Sequence, residues 1–265
     1  MGRIKHSLDG TISRLKGNGF LFEQLVRRDF THKYKRTVLG MAWSVLLPLL
    51  QLFVMKMVFQ NFFGRTINHF TIYLLAGNIV MSYYREATTG GMTSLLSNQS
   101  IISKINVPKY LFLLSKNVSA LMNFGLTLIV FFVFCIIDKI QFGWHFFMLF
   151  YPVICLLLLN IGVGMILSAL YVFFRDMSYL YSVFLMLLTY MSAIFYSIDS
   201  FTPEQQQYFL LNPVYVIIKY IRTIVIEGVI PTGSYHLLCA AYPILFITIG
   251  AIIYKLNNNK FIYYF

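Results

Sequence analysis

Long apolar runs dominate the chain. The stretches 38–62, 70–96, 110–137, 145–174, 177–195 and 236–254 each hold about twenty or more residues with few charges among them. In hydrocarbon every backbone N–H and C=O must find its partner inside the segment, so runs of this kind cross a membrane as helices. Residues of the AVILMFWYC class make up 58% of the 265 and charged residues 11%, against about 25% charged in an ordinary soluble domain. A soluble globule, a disordered chain, a collagen and a disulfide scaffold are all excluded. The fold expected is all-α and integral to a membrane, with six transmembrane helices and no room for a sizeable soluble domain.

Charge gives the orientation. The net charge is +12, and nine of the 21 Lys and Arg residues precede Val38. With both ends inside, Lys104, Lys109, Lys116, Arg175, Lys255 and Lys260 bring the inner side to 15, against four outside: Arg65, Lys139, Lys219 and Arg222. Such an asymmetry places both termini in the cytoplasm. It also explains the basic balance without nucleic acid, because the charge is a flank held against anionic lipid. The first 19 residues are polar and basic and do not read as a signal peptide.

Three segments depart from a plain span. Phe22, Val26, Phe30 and Tyr34 form an i, i+4 row among Arg27, Arg28, Asp29 and Lys33. This reads as an amphipathic helix lying in the membrane interface, with a solvated basic helix as the alternative; Glu23 and Lys33 intrude on its apolar stripe. The second span carries Arg85-Glu86, a candidate gate or a helix end already projecting toward the cytoplasm. Neighbours at i, i+1 do not face each other on a helix, so they are no self-contained pair. Residues 196–233 are semi-polar, and the apolar piece 214–226 within them is too short to cross. It reads as a re-entrant helix before the last span. The domains are then a cytoplasmic lead and interfacial helix over 1–37, a six-span unit over 38–254, and a cytoplasmic tail over 255–265.

The chain lacks an engine. It has no GxxxxGK[ST] for nucleotide phosphates, no HExxH and no GxSxG. Gly162-Val163-Gly164 lies in an apolar span and reads as a helix-packing feature. Cys135, Cys155 and Cys239 each sit in an apolar run with no CxxC, as small buried hydrophobes. No catalytic residue and no metal ligand is expected. Of the nine acidic residues most sit in loops, and only Glu86 lies within a span.

The stretch 34–48, Tyr-Lys-Arg-Thr-Val-Leu-Gly-Met-Ala-Trp-Ser-Val-Leu-Leu-Pro, resembles the opening of ABC-2 type permease subunits. It looks closest to the exporters of O-antigen, teichoic acid and capsular polysaccharide. The loop 101–109, Ile-Ile-Ser-Lys-Ile-Asn-Val-Pro-Lys, resembles that family's coupling segment. Arg175-Asp176 after the fourth span, and Asn212-Pro213 ahead of an apolar stretch with Arg222, are similar to the family pattern too. The stretch 192–197 lacks the prolines the family often carries there. The resemblance implies two copies of this chain with two separate ATP-binding subunits. ATP and Mg would be bound there, and no cofactor by this chain. It also implies contact with the ATPase through Ile101, Lys104, Ile105, Val107 and Pro108, with Arg27, Arg28, Arg175 and Asp176 around them.

Aromatics are 18% of the chain. Their faces pack against the C–H faces of sugar rings and Tyr adds a polar tip, although Phe also faces lipid and Tyr marks interfaces. The family's path resembles one lined by the first and fifth spans, which singles out Trp43, Phe53, Tyr181, Phe184, Tyr190, Phe195 and Tyr196. At about 3.6 residues per turn, Tyr181, Phe184, Leu188 and Phe195 fall near one face, with Tyr190 opposite. The function expected is the permease subunit of an ATP-driven exporter of a lipid-linked polysaccharide in a bacterial inner or plasma membrane. The alternatives are an ABC-2 permease for a drug or small lipid, and an integral-membrane enzyme of lipid-linked sugar metabolism. A secondary transporter is weakened by the scarcity of buried acids.

Overall fold

A computed structural model describes residues 19–35, 37–63, 67–104, 107–199, 201–257 and 260–264, all helices, turns and loops, with no strand among them. A helix over 19–34 (α1) is followed by α2 (Trp43–Phe63), α3 (Phe70–Thr93), the single turn α4 (Gln99–Ile102) and α5 (Tyr110–Ile137). Then come α6 (Phe150–Phe173), α7 (Met177–Met191), α8 (Pro203–Phe209), α9 (Pro213–Val225) and α10 (Gly233–Asn257). Among the described residues, four segments are long and apolar enough to cross a membrane: Gly40–Gln60, Tyr110–Ile137, Trp144–Phe173 and Gly233–Asn257, that is α2, α5, α6 and α10 with short helical leads. The pair α8–α9, bent by 108°, adds a fifth only if it is read as one broken span.

The helix at the centre is one of those that fail this test. α3 carries Asn78, Arg85, Glu86 and a run of Thr and Gly, yet sixteen of its residues are buried. It packs against α2, α5, α6 and α9. Polar groups at membrane depth are tolerated where protein or water rather than lipid surrounds them, so the least apolar long helix takes the middle. α2 and α7 sit at its outer side and leave most of their large apolar residues exposed.

Gly162 and Gly164 set two helix contacts. A Cβ on Gly162 would come within 2.6 Å of the Ile247 backbone nitrogen in α10. The Cβ that Gly91 of α3 lacks would sit 3.1 Å from Gly164 Cα. Two residues apart on a helix point to different sides, so one GxG brings α6 close to both neighbours. The three cysteines are buried and unpaired as disulfides.

Two helix starts are made locally. Thr202 and Gln205 form a reciprocal capping box ahead of Pro203, and the Asn212 side chain accepts from the Val214 and Tyr215 N–H groups ahead of Pro213. α9 is buried almost throughout among α3, α6 and α10, with half-exposed Lys219 as the main relief. One end of the bundle gathers α1, α4, the start of α5 and the far ends of α6 and α10 around Leu25, Ile102, Phe112, Val172, Tyr254 and Phe261. At the other end His69 meets Asp138 at 2.9 Å.

Candidate functional site

α7 and the segment after it wall a cleft against the Arg85 side of α3, and α2 reaches that wall where Phe59 meets Phe195. Trp43 and Phe53 of α2 are 40% and 67% exposed. Lower in α2, Phe59 stacks on Phe195 with ring centres 4.9 Å apart. Tyr190 lies 6.3 Å from Phe195, and its carbonyl accepts from the Tyr196 hydroxyl at 2.9 Å. Arg85, Ser182, Leu185, Thr189, Tyr190 and Phe195 are among the residues lining about 370 Å³ of open space here. The Arg85 guanidinium donates to Thr189 Oγ1 at 3.1 Å.

The aromatic face read from helical spacing is split. Tyr181 is buried and donates to Thr88 Oγ1 at 2.6 Å, tying α7 to α3. Phe184 packs beside the Tyr181 ring on a separate apolar groove shared with α6 and α10. Phe195 instead joins Tyr190, the residue expected on the opposite side. The cause is where α7 stops. The helix ends at Met191, not Phe195, and Ala193 takes a left-handed φ of 48°. The freed carbonyls are claimed from elsewhere in the chain. Asn212 Nδ2 donates to Met191 O at 3.2 Å, and Arg222 donates to Ala193 O and Ile194 O at 2.9 and 3.1 Å.

Arg222 was counted above among the outer-loop charges, and it is buried, 4% exposed. Besides those two carbonyls it donates twice to Tyr73 O, at 3.0 and 3.2 Å, and its guanidinium carbon lies 3.3 Å from the Tyr73 ring centre. A buried charge answered by three carbonyls and a π face is fully engaged. Nothing local in the sequence marks it, since its partners are 28 to 149 residues away.

At the α1 end, two ion-pair clusters tie α1 to the bundle. Glu86 accepts from Lys33 Nζ at 2.7 Å and from Asn123 Nδ2 at 2.8 Å, so it faces away from the cleft that Arg85 enters. The Asp29 side chain, 5% exposed, pairs with Lys116 at 3.0 Å and accepts from Ser115 Oγ at 3.1 Å. Arg28 pairs with Asp29 at 2.9 Å and donates to Asn98 Oδ1 at 2.9 Å, one residue before α4. The intrusion of Lys33 on the apolar stripe thus has a partner, Glu86. The pairings of Asp29 with Lys116 and of Glu86 with Asn123 were not legible in the sequence, because the partners lie 87 and 37 residues apart.

The loop residues cluster beside these pairs. Ile101 and Val107 pack on the apolar group around Ile102 and Phe112; Lys104 is exposed and Pro108 half-buried. Ile105 lies outside the described residues. Lys109 is buried beside the Phe261 ring, and that burial lowers its pKa. Arg27 is exposed on α1, and Arg175 and Asp176 form an exposed turn ahead of α7 in which Arg175 reaches the Tyr264 carbonyl at 3.4 Å.

A bundle of long apolar helices defines the class: a helical, multi-pass membrane protein. The family follows from comparison: residues 21–226 match the ABC-2 type transporter model, and the chain belongs to that family. It is therefore a transport component. It is 26% identical to an "O-antigen export system permease protein RfbA" of Klebsiella pneumoniae, over 92% of this chain and 95% of that one. A second Klebsiella pneumoniae protein of the same name is 27% identical over 80% of this chain and 83% of its own. One of Myxococcus xanthus, again so named, is 23% identical over 91% and 94%.

Proposed function

We propose that this chain is the membrane-spanning subunit of an ATP-driven exporter. Its cargo is a lipid-linked polysaccharide of O-antigen, teichoic acid or capsule type, moved out across a bacterial inner or plasma membrane. The observation that carries this is the near full-length similarity to three permeases named for O-antigen export. That naming favours a glycan over a drug or small lipid.

The working unit is two copies of this chain with two ATP-binding subunits, which hold the ATP and Mg. Six helices cross: α2, α3, α5, α6, α7 and α10. α3 counts because protein surrounds it. α7 spans only about 22 Å as a helix, and the irregular segment after Met191 completes the crossing. α8 and α9 dip in from outside as a re-entrant pair. Both termini are cytoplasmic, and α1 lies in the inner membrane interface.

Ile101, Lys104, Ile105, Val107 and Pro108, with Arg27, Arg28, Arg175 and Asp176, receive the ATPase. Its rigid-body motion passes to α1 and α4, which share the Arg28–Asn98 contact. The substrate path lies between the two copies, lined by α2 and α7 and including the open space beside Arg85. Its aromatic rings offer a sliding glycan a smooth surface that binds weakly. Arg85 stands in the path, with Glu86 behind it holding α1.

The test is a strain lacking this chain. Surface glycan should be lost while lipid-linked glycan accumulates inside, and returning the chain should reverse both. Normal surface glycan in that strain would overturn the reading.

A further inference from the structure

Among the described residues lining the open space of the cleft, Arg85 is the one cation, and no carboxylate lies within ion-pairing reach of it. Arg85 is exposed there and donates to a single hydroxyl, that of Thr189. Its neighbour Glu86 is turned to the far side of α3, where Lys33 and Asn123 occupy both of its oxygens. The other hydroxyl groups in the lining bring no competing charge. Ser182 and Thr189 point their protons at the carbonyls of Tyr179 and Leu185, each at 2.7 Å.

Depth makes this arrangement costly without a ligand. Arg85 lies eight residues before the end of α3, about 12 Å along the axis. A charge inside a span persists where it faces a pathway or finds a partner. A guanidinium carries five N–H donors in a fork, and the recorded bond uses one. The open space of about 370 Å³ beside it has room for the missing acceptor. Leu185, Met186 and Phe195 form the rest of the wall, so the cleft pairs one strong donor group with an apolar slope.

We propose that Arg85 is an anion subsite for the phosphate ester that joins a glycan to its lipid carrier. The inference rests on the exporter reading given above. A neutral sugar gives a guanidinium no charge to pair with. A phosphate oxygen pair fits the fork geometry and forms charge-assisted bonds. The hydrocarbon tail would lie along the exposed apolar side chains of α7, among them Met186 and Leu187. The same group that holds the phosphate thereby sets where the lipid end of the cargo waits.

The experiment uses the full-length chain in phosphatidylcholine nanodiscs, titrated with radiolabelled polyprenyl phosphate bearing no sugar. Arg85→Gln should weaken binding about ten-fold or more, while Arg85→Lys keeps most of it. Uncharged polyprenol should bind wild type and Arg85→Gln alike. Each variant is first matched to wild type in thermal unfolding, which Arg85, exposed and held by one bond, should allow. Equal binding of polyprenyl phosphate by wild type and Arg85→Gln overturns the subsite and leaves the exporter reading standing. Displacement by phosphatidylglycerol at equal mole fraction overturns it as a carrier site, the source being ordinary lipid. If wild type binds no polyprenyl phosphate, the lipid-linked reading fails and the subsite falls with it.

Discussion

The Arg222 side chain crosses from α9 to the carbonyls of Tyr73, Ala193 and Ile194 and lies over the Tyr73 ring. A buried carbonyl left unmade costs about 1–3 kcal/mol. Arg222→Leu should therefore lower stability by about 3 kcal/mol or more, read as thermal unfolding in detergent. Arg222→Lys should rescue little, because a single ammonium lacks the fork that bridges separate acceptors. Unchanged melting in Arg222→Leu would show that the three carbonyls find other donors. Asp29 gives a second residue-level test. Its carboxylate is buried against Lys116, so a double-mutant cycle of Asp29→Asn and Lys116→Met should return a coupling of about 1 kcal/mol or more. Neither residue was legible beforehand. Asp29 reads as one more charge on an interfacial helix, and Arg222 as an outer-side cation within the stretch that resembles the family pattern, until tertiary structure supplies the partner.

At the scale of elements the sequence was a better guide where local chemistry decides. The apolar runs became helices, Asn212-Pro213 opens α9 with its own cap, and Gly162-Val163-Gly164 packs helices. The end of α7 was not legible. Residues 192–195 are apolar enough to continue the helix, yet Ala193 turns through a left-handed φ, and Asn212 and Arg222 take the carbonyls of Met191, Ala193 and Ile194. The stripe of Tyr181, Phe184 and Phe195 failed for that reason. Burial of α3 was hidden too, since composition marks a polar helix without saying what surrounds it. Gly162→Val should separate α6 from α10, as its Cβ has backbone within 2.6 Å. Overpacking costs about 1–3 kcal/mol, so yield and melting temperature should both fall. Gly125→Ala, with nothing within 4 Å of the added carbon, should leave both unchanged. Equal behaviour of the two variants would mean that α6 and α10 move apart freely. In the loop after α4, Lys104→Glu, at an exposed position, should uncouple ATP turnover from export while the chain still folds; full export by that variant would count against the coupling role.

The whole molecule is a bundle with one basic, ion-paired end and a loosely flanked cleft opening from its most polar helix. Orientation and cargo each have their own readout. A single-cysteine probe at Gln206, in a background lacking Cys135, Cys155 and Cys239, should react from outside the cell; labelling only from the cytoplasm would break the six-crossing topology. The central claim is transport itself. The direct measurement reconstitutes the chain with its ATP-binding subunit in vesicles whose ATP-binding side faces outward. Radiolabelled lipid-linked glycan is supplied in the outer leaflet, and the glycan protected from an added glycosidase is counted. Protected glycan should accumulate with ATP and Mg, and fail to accumulate without ATP or without this chain. ATP hydrolysis that proceeds with no gain of protected glycan, while an unrelated small amphiphile is moved, would contradict it.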